Sequence, residues 1–364
     1  MNKIKFRLGE LFCGPGGMSL GAKLAKYRSA EVAFKIEHGW ASDYHADSCR
    51  TFERNISKNK GLVVHHDVRE LDITQLPPID AFAYGFPCND FSLVGEHKGE
   101  DGQFGGLYRY GLDVLDHFNP RFFVAENVGG ITSANGGRAL EKILYDMSES
   151  GRSGYDLTVH KYRAEEYGVP QSRQRVIIVG INQAENLTFK VPRPTHRDPI
   201  TARGALEDSP IAEGTPNHEF TRQHARVIKR LEHTKPGENA WNADLPEEVR
   251  LNVKGARLSN IYRRLHPDKP SYTVTGSGGG GTHMYHWEEP RALTNRERAR
   301  LQSFPDKFVF SGSKDSVRRQ IGMAVPPRLA QVIFTAILKT FAGVNYRSVP
   351  ANMGFGNDLF SGKM

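Results

Sequence analysis

The sequence predicts an α/β fold built around a largely parallel sheet, with a second, smaller and loop-rich domain. Over residues 1–182, short apolar runs alternate with amphipathic stretches, which is typical of strand and helix units. From about residue 183 to residue 287 this alternation disappears, and proline, glycine, threonine and histidine become frequent. A chain of 364 residues is long enough for one large domain or two modest ones.

The short apolar runs predict the strands of the sheet. In chain order they are Phe6–Phe12, Ala33–Ile36, Leu62–His65, Asp80–Tyr84, Arg121–Ala125, Leu157–Tyr162 and Val176–Ile181. The stretches between them have apolar residues at helical spacing and contain good helix formers. They predict helices at Met18–Tyr27, Tyr44–Ile56, Leu107–Phe118 and Arg138–Ser148.

Apolar residues at helical spacing return near the end of the chain, at Leu293–Ser303 and Leu329–Phe341. We expect these helices to rejoin the first domain, and we expect the glycine-rich end of the chain to be loose. The predicted organisation is a first domain of residues 1–182, a second domain of residues 183–287, a return to the first domain over residues 288–343, and a tail of residues 344–364.

The composition disfavours several classes of protein. The chain has no apolar run of about 18 residues and begins in a patterned strand, so membrane spanning and secretion are disfavoured. The cysteines, Cys13, Cys49 and Cys88, form no CxxC pair. We therefore expect neither a disulfide framework nor a metal site, and a reducing cytoplasm fits. The net charge of +8 is consistent with a polyanionic partner.

The first predicted strand leads into a glycine-rich turn, Phe12–Gly17 (FCGPGG), that precedes a helix. Glycines at such a turn let the backbone approach a ligand closely, and the start of a helix favours a negatively charged group. Asp43 follows the second strand and Asp67 follows the third, so both would lie at the carboxyl edge of the sheet. Ligands bind at this edge in open α/β sheets, although each aspartate alone also fits a cap or turn residue.

A thiol, a carboxyl group and two guanidinium groups are predicted to converge on the same edge. Cys88 follows the fourth strand in GFPCNDFS, and Glu126 ends the fifth strand in ENV. Arg173 and Arg175 of QSRQR would share one face of an extended segment. A lone cysteine is more often a buried packing residue than a nucleophile. The combination of nucleophile, acid and cation in one cleft favours covalent catalysis.

The order of these motifs makes the sequence similar to the DNA (cytosine-5)-methyltransferases. FCGPGG resembles that family's cofactor loop, GFPCNDFS its catalytic loop, ENV its acid motif and QSRQR its arginine motif. Residues 291–305 (RALTNRERARLQSFP) and 320–327 (QIGMAVPP) resemble its last two motifs. The resemblance covers residues 5–340. It departs from the family pattern at Asn89, where the family has glutamine, and at Met323, where the family has asparagine.

The resemblance implies a Rossmann-like, S-adenosyl-L-methionine-dependent methyltransferase sheet, with residues 183–287 as a target-recognition domain. It implies that Cys88 adds to carbon 6 of cytosine and that Glu126 acts at ring nitrogen 3. Arg175 would stabilise charge on the cytosine carbonyl oxygen, with Arg173 as a second cation near the thiol. The residues expected to contact S-adenosyl-L-methionine are Phe12, Cys13, Gly14, Pro15, Gly16, Gly17, Asp43, Tyr44, Asp67, Val68, Pro87, Leu107, Met323 and Ala324.

Duplex DNA is the expected substrate, and the target cytosine would be flipped out of the stack because its carbon 6 is hidden inside the duplex. The segment Arg250–Arg264 contains basic residues and no acidic residue, which favours contacts to phosphate. A solvated loop face is the alternative for this segment. The residues expected to contact DNA are Ser92, Lys98, Arg257, Arg264, Thr273, Thr275 and Gly276.

The favoured interpretation is a bacterial restriction-modification methyltransferase, a cytoplasmic, nucleoid-associated monomer that acts beside a restriction endonuclease without binding it. Two alternatives stay open: the same chemistry on RNA, and a catalytically silent DNA-binding regulator. The long loop-rich domain argues for DNA reading, and the presence of Cys88, Glu126 and Arg175 argues against a silent protein. A nicotinamide-dependent dehydrogenase is disfavoured because the glycine spacing is not GxGxxG.

Overall fold

The structure is a computed structural model, and it describes residues 1–57, 61–86, 106–132, 137–252 and 258–354. Contacts divide the chain into two compact units. The first unit comprises Met1–Arg163, Gln174–Pro194 and Leu329–Met364, and the second comprises Ala164–Arg173 and Thr195–Arg328.

All the strands of the described residues belong to the first unit. They are β1 Asn2–Leu11, β2 Lys26–Arg28, β3 Val32–Asp43, β4 Val63–His65, β5 Ala81–Gly85, β6 Phe122–Val128, β7 Tyr155–Arg163, β8 Gln174–Asn182, β9 Val191–Pro192 and β10 Ser348–Val349. The helices, in chain order across both units, are α1 Gly17–Leu24, α2 Ala46–Asn55, α3 Tyr108–Phe118, α4 Arg138–Glu149, α5 Ala202–Leu206, α6 Ala225–Glu232, α7 Asn295–Leu301, α8 Lys314–Met323 and α9 Pro327–Phe341.

The first unit is organised around a mostly parallel sheet in the order β2-β3-β1-β5-β6-β8-β7, with β4 paired to β3. β1, β3, β4, β5 and β6 run parallel, whereas β2, β7 and β8 run antiparallel to their neighbours. A sheet of this kind buries both faces, and each residue of Ala81–Tyr84 in β5 is fully buried. The predicted α/β fold is confirmed. The carboxyl ends of its parallel strands meet at one edge.

Most elements differ in length from their predictions, and for two of them pairing in the sheet explains the difference. β3 is longer than the predicted Ala33–Ile36, because the polar residues Glu37 and His38 pair with β1 instead of ending the strand. The predicted helix Met18–Tyr27 is shorter, because the chain becomes extended at Ala25 and continues as the edge strand β2. In both cases pairing across the sheet, which is not a local property, decides where the element ends.

The helix α9 packs on the sheet of the first unit through aromatic contacts. The ring of Phe341 lies 4.9 Å from that of Phe6 on β1 and 5.5 Å from that of Phe122 on β6. Within the described residues, Lys314–Phe341 is the one helical stretch with the length and hydropathy of a membrane span. Of its apolar window, 72% is buried inside the protein, as in a core helix.

The second unit contains mainly loops and short helices, and buried arginine side chains hold its backbone together. Arg296 on α7 donates to the carbonyl oxygens of Pro216 at 3.1 Å and Phe308 at 2.6 Å. Loops leave many backbone carbonyls without partners in a regular ladder, and a buried guanidinium satisfies several of them at once.

The second unit has other bounds than the predicted residues 183–287: it includes Ala164–Arg173, resumes at Thr195 instead of residue 183, and continues to Arg328. Arg296 ties α7 to the loop at Pro216, and α7 contacts both α5 and α8, so the chain remains in this unit through Arg328. The return to the first unit therefore occurs at Leu329 and not at residue 288. The short apolar pattern of α7 gave no indication of which unit it would join.

Part of the tail predicted to be loose is paired with the first unit. β10 pairs antiparallel with β9. The amide side chain of Asn352 accepts from the backbone N–H of Lys161 at 2.8 Å and donates to the carbonyl oxygen of the same residue at 3.1 Å. The Asn352 side chain thus makes the two hydrogen bonds that the backbone of a neighbouring β-strand would make with Lys161. Residues 355–364 lie outside the described residues.

Candidate active site

The glycine-rich turn Phe12–Gly17 joins β1 to α1. The backbone N–H of Gly14 donates to Oδ2 of Asp43 at 2.8 Å, so the end of β3 fixes the turn. Gly14 and Gly16 have φ angles of 52° and 93°, in the left-handed region that favours glycine. A Cβ at Gly16 would lie 2.9 Å from the ring of Phe52, whereas one at Gly14 would meet no atom within 4 Å. The backbone is therefore open to a ligand at Gly14.

Asp43 ends β3 and is followed by an exposed aromatic ring. The carboxylate of Asp43 accepts two backbone N–H groups, from Gly14 and from His45, each at 2.8 Å. Burial raises the pKa of this carboxyl group, and the two N–H donors oppose that rise. The next residue, Tyr44, is 62% exposed, and so it presents an aromatic face on which a flat ring can stack.

A third part of the predicted cofactor site follows β4. Asp67 makes a two-point contact with the guanidinium of Arg69, at 2.9 and 2.5 Å, and this contact lowers the pKa of Asp67 to about 2.

Val68 and Leu107 lie in one hydrophobic cluster, against which Phe12 packs. The remaining cofactor candidates of the glycine-rich turn, Cys13, Pro15 and Gly17, are all buried. Pro87 lies outside the described residues.

Glu126 and Arg175 form a buried ion pair at the edge of the sheet. β6 and β8 are antiparallel neighbours, and Oε1 of Glu126 lies 2.6 Å from Nε of Arg175, with side chains 12% and 11% exposed. Burial lowers the pKa of the Arg175 guanidinium, and the charge of Glu126 opposes this shift. A Cβ at Gly85, the residue opposite Glu126 on β5, would lie 3.0 Å from Oε2. Glycine at this position therefore leaves room beside that oxygen.

Asn127 is a further residue of the edge that the sequence reasoning missed. Its side-chain amide donates to the carbonyl oxygen of Phe86 at 3.1 Å, and it is only 2% exposed. Phe86 is the last described residue before the segment that contains Cys88 and Asn89, both of which lie outside the described residues. The amide thus fixes the backbone of Phe86 beside the strand that contains Glu126. The ENV motif contained this residue, but no local pattern indicated its partner.

The predicted catalytic role of Arg173 is not supported by its contacts. Its side chain is 2% exposed and belongs to the second unit. Its guanidinium donates to the carbonyl oxygens of Val274 at 2.9 Å, Gly322 at 2.8 Å and Ala324 at 3.3 Å. These donors are engaged by the protein backbone, and Arg173 therefore joins the backbone at Val274 to the C-terminal end of α8 within its own unit.

The two C-terminal cofactor candidates occupy different environments. Ala324 is buried, and its carbonyl oxygen accepts from Arg173. Met323 ends α8 and is 64% exposed, so its thioether fills no cavity within the protein. The departure from the family pattern at this position therefore replaces an amide by a solvent-exposed apolar side chain.

We expect Met323→Asn to leave stability almost unchanged, within about 0.5 kcal/mol, because the side chain is exposed. The restored amide should tighten binding of S-adenosyl-L-methionine by roughly two- to tenfold if it reaches the cofactor, the value of one hydrogen bond. Thermal unfolding and calorimetric titration of both forms measure the two effects. A loss of several degrees in melting temperature would show that the thioether packs against the protein.

The predicted DNA-contacting loop is partly bonded to its own unit. Thr273 Oγ1 donates to the carbonyl oxygen of Ser172 at 2.8 Å, and Thr275 Oγ1 donates to that of Ser277 at 3.2 Å. A Cβ at Gly322 would lie 2.0 Å from the nitrogen of Gly276, so the two glycine backbones are in close contact. The exposed position among these three residues is Thr275.

Arg264, predicted to contact phosphate, is instead buried. Its side chain is 5% exposed. Its Nε donates to the carbonyl oxygen of His286 at 2.8 Å, and its Nη1 donates to those of Leu231 at 2.8 Å and Thr234 at 3.1 Å. The prediction failed because a run of basic residues in the sequence does not show which guanidinium group donates to backbone carbonyl oxygens that lie far away along the chain. Ser92, Lys98 and Arg257 lie outside the described residues.

Replacing Arg264 by alanine should therefore destabilise the protein and leave the salt dependence of DNA binding unchanged. The expected loss is roughly 2–4 kcal/mol, because each buried carbonyl left without a donor costs about 1–3 kcal/mol. Arg263→Ala is the control, since that guanidinium lies 4.8 Å over the ring of Tyr272 and contributes about 0.5–1 kcal/mol. Denaturant unfolding compares the two. If Arg264→Ala left stability unchanged and lowered the slope of log affinity for DNA against log salt concentration by about one, Arg264 would be a phosphate contact after all.

Comparison with known proteins agrees with this geometry. The sequence profile of the C-5 cytosine-specific DNA methylases matches residues 6–339. The chain is 57% identical to the Type II methyltransferase M.BbvI of Brevibacillus brevis, over 97% of this chain and 96% of that protein. It is 38% identical to the Type II methyltransferase M.NgoFVII of Neisseria gonorrhoeae, over 95% and 89% of the two chains.

The fold is also found in solved structures. A crystal structure of a prophage-encoded DNA modification methyltransferase from E. coli covers 93% of this chain and 99% of its own, with a TM-score of 0.66 and 24% identity. The S. pombe Dnmt2 methyltransferase covers 94% and 100%, with a TM-score of 0.55 and 19% identity. The profile match spans almost the whole chain. The chain belongs to the C-5 cytosine-specific DNA methylase family, whose enzymes transfer a methyl group from S-adenosyl-L-methionine to carbon 5 of cytosine in DNA.

Proposed function

We propose that this protein is the modification enzyme of a Type II restriction-modification system, which methylates one cytosine within a specific duplex sequence. The observation that carries the proposal is the buried Glu126–Arg175 pair, next to which Asn127 donates to the carbonyl oxygen of Phe86, two residues before Cys88 in the sequence. The Type II relatives M.BbvI and M.NgoFVII, which match nearly the full chain, support it. Methylation would protect the sequence from a cognate endonuclease.

The residues at the sheet edge fit S-adenosyl-L-methionine. The open backbone at Gly14 suits the methionine end, and Asp43 retains lone pairs for ribose hydroxyls. The exposed face of Tyr44 suits the adenine, and Asp67, ionised at neutral pH, can accept from its amino group. When bound, the cofactor supplies an electrophilic methyl group.

The chain's own groups would make carbon 5 of cytosine reactive. The Cys88 thiolate adds to carbon 6, and electron density moves through the ring towards nitrogen 3 and the carbonyl oxygen. Glu126 would first take up a proton from water and then donate it to nitrogen 3, using Oε2 in the space left by Gly85, while Arg175 stabilises the carbonyl oxygen. After methylation, the carbon 5 proton leaves to water, the thiolate is eliminated, and the proton on nitrogen 3 returns to Glu126. The base must first be flipped out of the duplex.

We further propose that the protein works as a cytoplasmic monomer, associated with the nucleoid, beside an endonuclease that it does not bind. The second unit, Ala164–Arg173 and Thr195–Arg328, would provide target recognition. Its exposed loop residue Thr275 is a candidate for contact with DNA phosphate.

Bisulfite sequencing of DNA from cells expressing the protein tests the proposal. We expect 5-methylcytosine at one position of a single sequence context, and resistance of that DNA to one restriction endonuclease. Labelled methyl transfer to duplex DNA and to tRNA separates the RNA alternative. Sequence-specific binding without any methylation would instead support a silent regulator.

A further inference from the structure

Arg298 on α7 is buried in the second unit and differs from the other arginines of its helix. Its side chain is 1% exposed. None of its three guanidinium nitrogens makes a hydrogen bond to an atom of the residues that the structure describes. In contrast, Arg296 donates to three backbone carbonyl oxygens, and Arg300 pairs with Asp306. The second unit therefore satisfies the arginines on either side of Arg298, but not Arg298 itself.

The groups around Arg298 include a second cation. Burial lowers the pKa of Arg298 to about 10, and the charge of Arg318 on α8 adds to this fall, so the Arg298 guanidinium is still charged at neutral pH. The phenols of Tyr272 and Tyr285 also lie close enough to act on it. Burial raises the pKa of both phenols, that of Tyr272 to about 12, so both are neutral at neutral pH. Neither phenol offsets the two positive charges.

The two carboxylates near Arg298 are bound to other arginines. Glu297 pairs with Arg291 at 2.8 Å. Asp315 pairs with Arg318 at 2.8 Å, but the Asp315 side chain is 84% exposed, so water screens its charge. Within the described ranges, Arg298 therefore has neither a hydrogen-bond acceptor nor a counter-charge of its own.

An unpaired guanidinium at this depth is strongly unfavourable unless an anion accompanies it. Moving a charge out of water is costly, and a partner of opposite charge with good hydrogen bonds is needed to offset that cost. Arginine does not escape the cost by losing its proton at neutral pH, and it presents five N–H donors in a fixed plane. A small anion in contact with Arg298 supplies both the acceptor and the counter-charge.

The glycine-rich loop 276–282 rests on the second cation. Arg318 donates to the carbonyl oxygen of Gly278. A Cβ at Gly278 would lie 3.2 Å from Cδ of Arg318 and 3.8 Å from Nδ1 of His283. Burial lowers the pKa of His283 to about 4, with the charges of Arg318 and Arg298 adding to the fall, so this ring is neutral at neutral pH. The position of Arg318 therefore determines how the loop backbone is held.

We propose that Arg298 and Arg318 form a binding site for a small inorganic anion, of the size of chloride or nitrate, inside the second unit. The anion accepts N–H groups of Arg298 and reduces its repulsion with Arg318, which in turn holds the loop 276–282. Because the Arg298 side chain is 1% exposed, a phosphate of duplex DNA does not reach it, and the ligand is a free ion. The site does not depend on the proposed methylation of DNA.

Urea unfolding of the full chain in potassium chloride and potassium gluconate, mixed at constant ionic strength, tests the site. Gluconate is too large for a position closed to solvent, and urea adds no ions. If one chloride binds only the folded chain, the unfolding equilibrium constant of the wild type should fall by up to about tenfold for each tenfold increase in chloride. Arg298→Met keeps much of the side-chain volume without the charge. We expect its stability not to show this specific dependence on chloride.

Arg203→Met is the matched control for general salt effects. It also removes an arginine of the second unit, but the Arg203 side chain is 47% exposed and pairs with Glu207 and Asp268. This variant should retain the chloride dependence of the wild type. A dependence that Arg298→Met shares with the wild type would be a general salt effect and would overturn the inference.

Bromide locates the ion directly in the wild-type protein. Crystals soaked in sodium bromide should show an anomalous-scattering peak in contact with the Arg298 guanidinium. Hydrogen exchange of the loop 276–282 should be faster in gluconate than in chloride. Both measurements decide the question even if Arg298→Met fails to fold. Water alone at Arg298, or bromide there only at molar concentration, as an adventitious ion only, overturns the inference and leaves the proposed function intact.

Discussion

Cys88→Ala should reduce methyl transfer by roughly 10³-fold or more while sequence-specific DNA binding survives. Carbon 5 of cytosine is a poor nucleophile until a thiolate adds to carbon 6, so alanine removes the reactive intermediate and not the groove contacts. Filter-binding and labelled-methyl assays on the same duplex separate the two properties. Substantial turnover by the alanine variant would exclude Cys88 as the nucleophile.

Cys49→Ala is the control for this experiment. Cys49 is buried in α2, and burial raises its pKa to about 12, so it supplies no thiolate at neutral pH. Its replacement should leave methyl transfer close to the wild-type rate. DNA with 5-fluorocytosine at the target should trap the wild-type protein and Cys49→Ala covalently, since fluorine does not leave as the proton does. It should not trap Cys88→Ala.

The sheet and its functional edge could be predicted because their signals are local. The apolar runs of β1, β5, β6 and β8 are short and distinct, and the polar residues Asp43 and Glu126 follow apolar runs, at the end of β3 and two residues before the end of β6. Parallel strands bring such ends together without any further information. The lengths of β3 and α1 were less predictable. Pairing with β1 continues β3 through the polar residues Glu37 and His38, and pairing of β2 with β3 makes the chain extended where a helix was predicted.

The arginines show where local reasoning fails. Arg173 and Arg175 are two residues apart, yet one donates to carbonyls of Val274 and Gly322 and the other pairs with Glu126. The sequence predicts that Arg264 contacts phosphate, but its donors bind backbone carbonyl oxygens about 20–35 residues away along the chain, at the end of α6 and in the loops. A loop-rich unit contains many buried carbonyl oxygens that need hydrogen-bond donors. The spacing of arginines in the sequence does not identify which guanidinium group donates to them.

Glu126→Gln should lower the rate of methyl transfer by roughly 10²–10⁴-fold, the usual contribution of a general acid. The amide retains the size of the carboxyl group but cannot transfer its proton to ring nitrogen 3. It also leaves the Arg175 guanidinium, only 11% exposed, without its counter-charge. The free energy of unfolding should therefore fall as well, by about 3–5 kcal/mol for a broken buried pair. Single-turnover methylation and denaturant unfolding measure the two effects.

Glu185→Gln provides a matched control, because Glu185 also pairs with an arginine of the first unit. The Arg121 Nε and Glu185 Oε1 atoms lie 2.6 Å apart, but the arginine side chain is 44% exposed. Solvent screening limits such a pair to about 0–1 kcal/mol, so this variant should keep its rate and most of its stability. If Glu126→Gln lost stability but methylated at the wild-type rate once folded, the carboxyl group would serve only to hold Arg175. A rate loss that persists under conditions where the variant is fully folded assigns Glu126 to proton transfer.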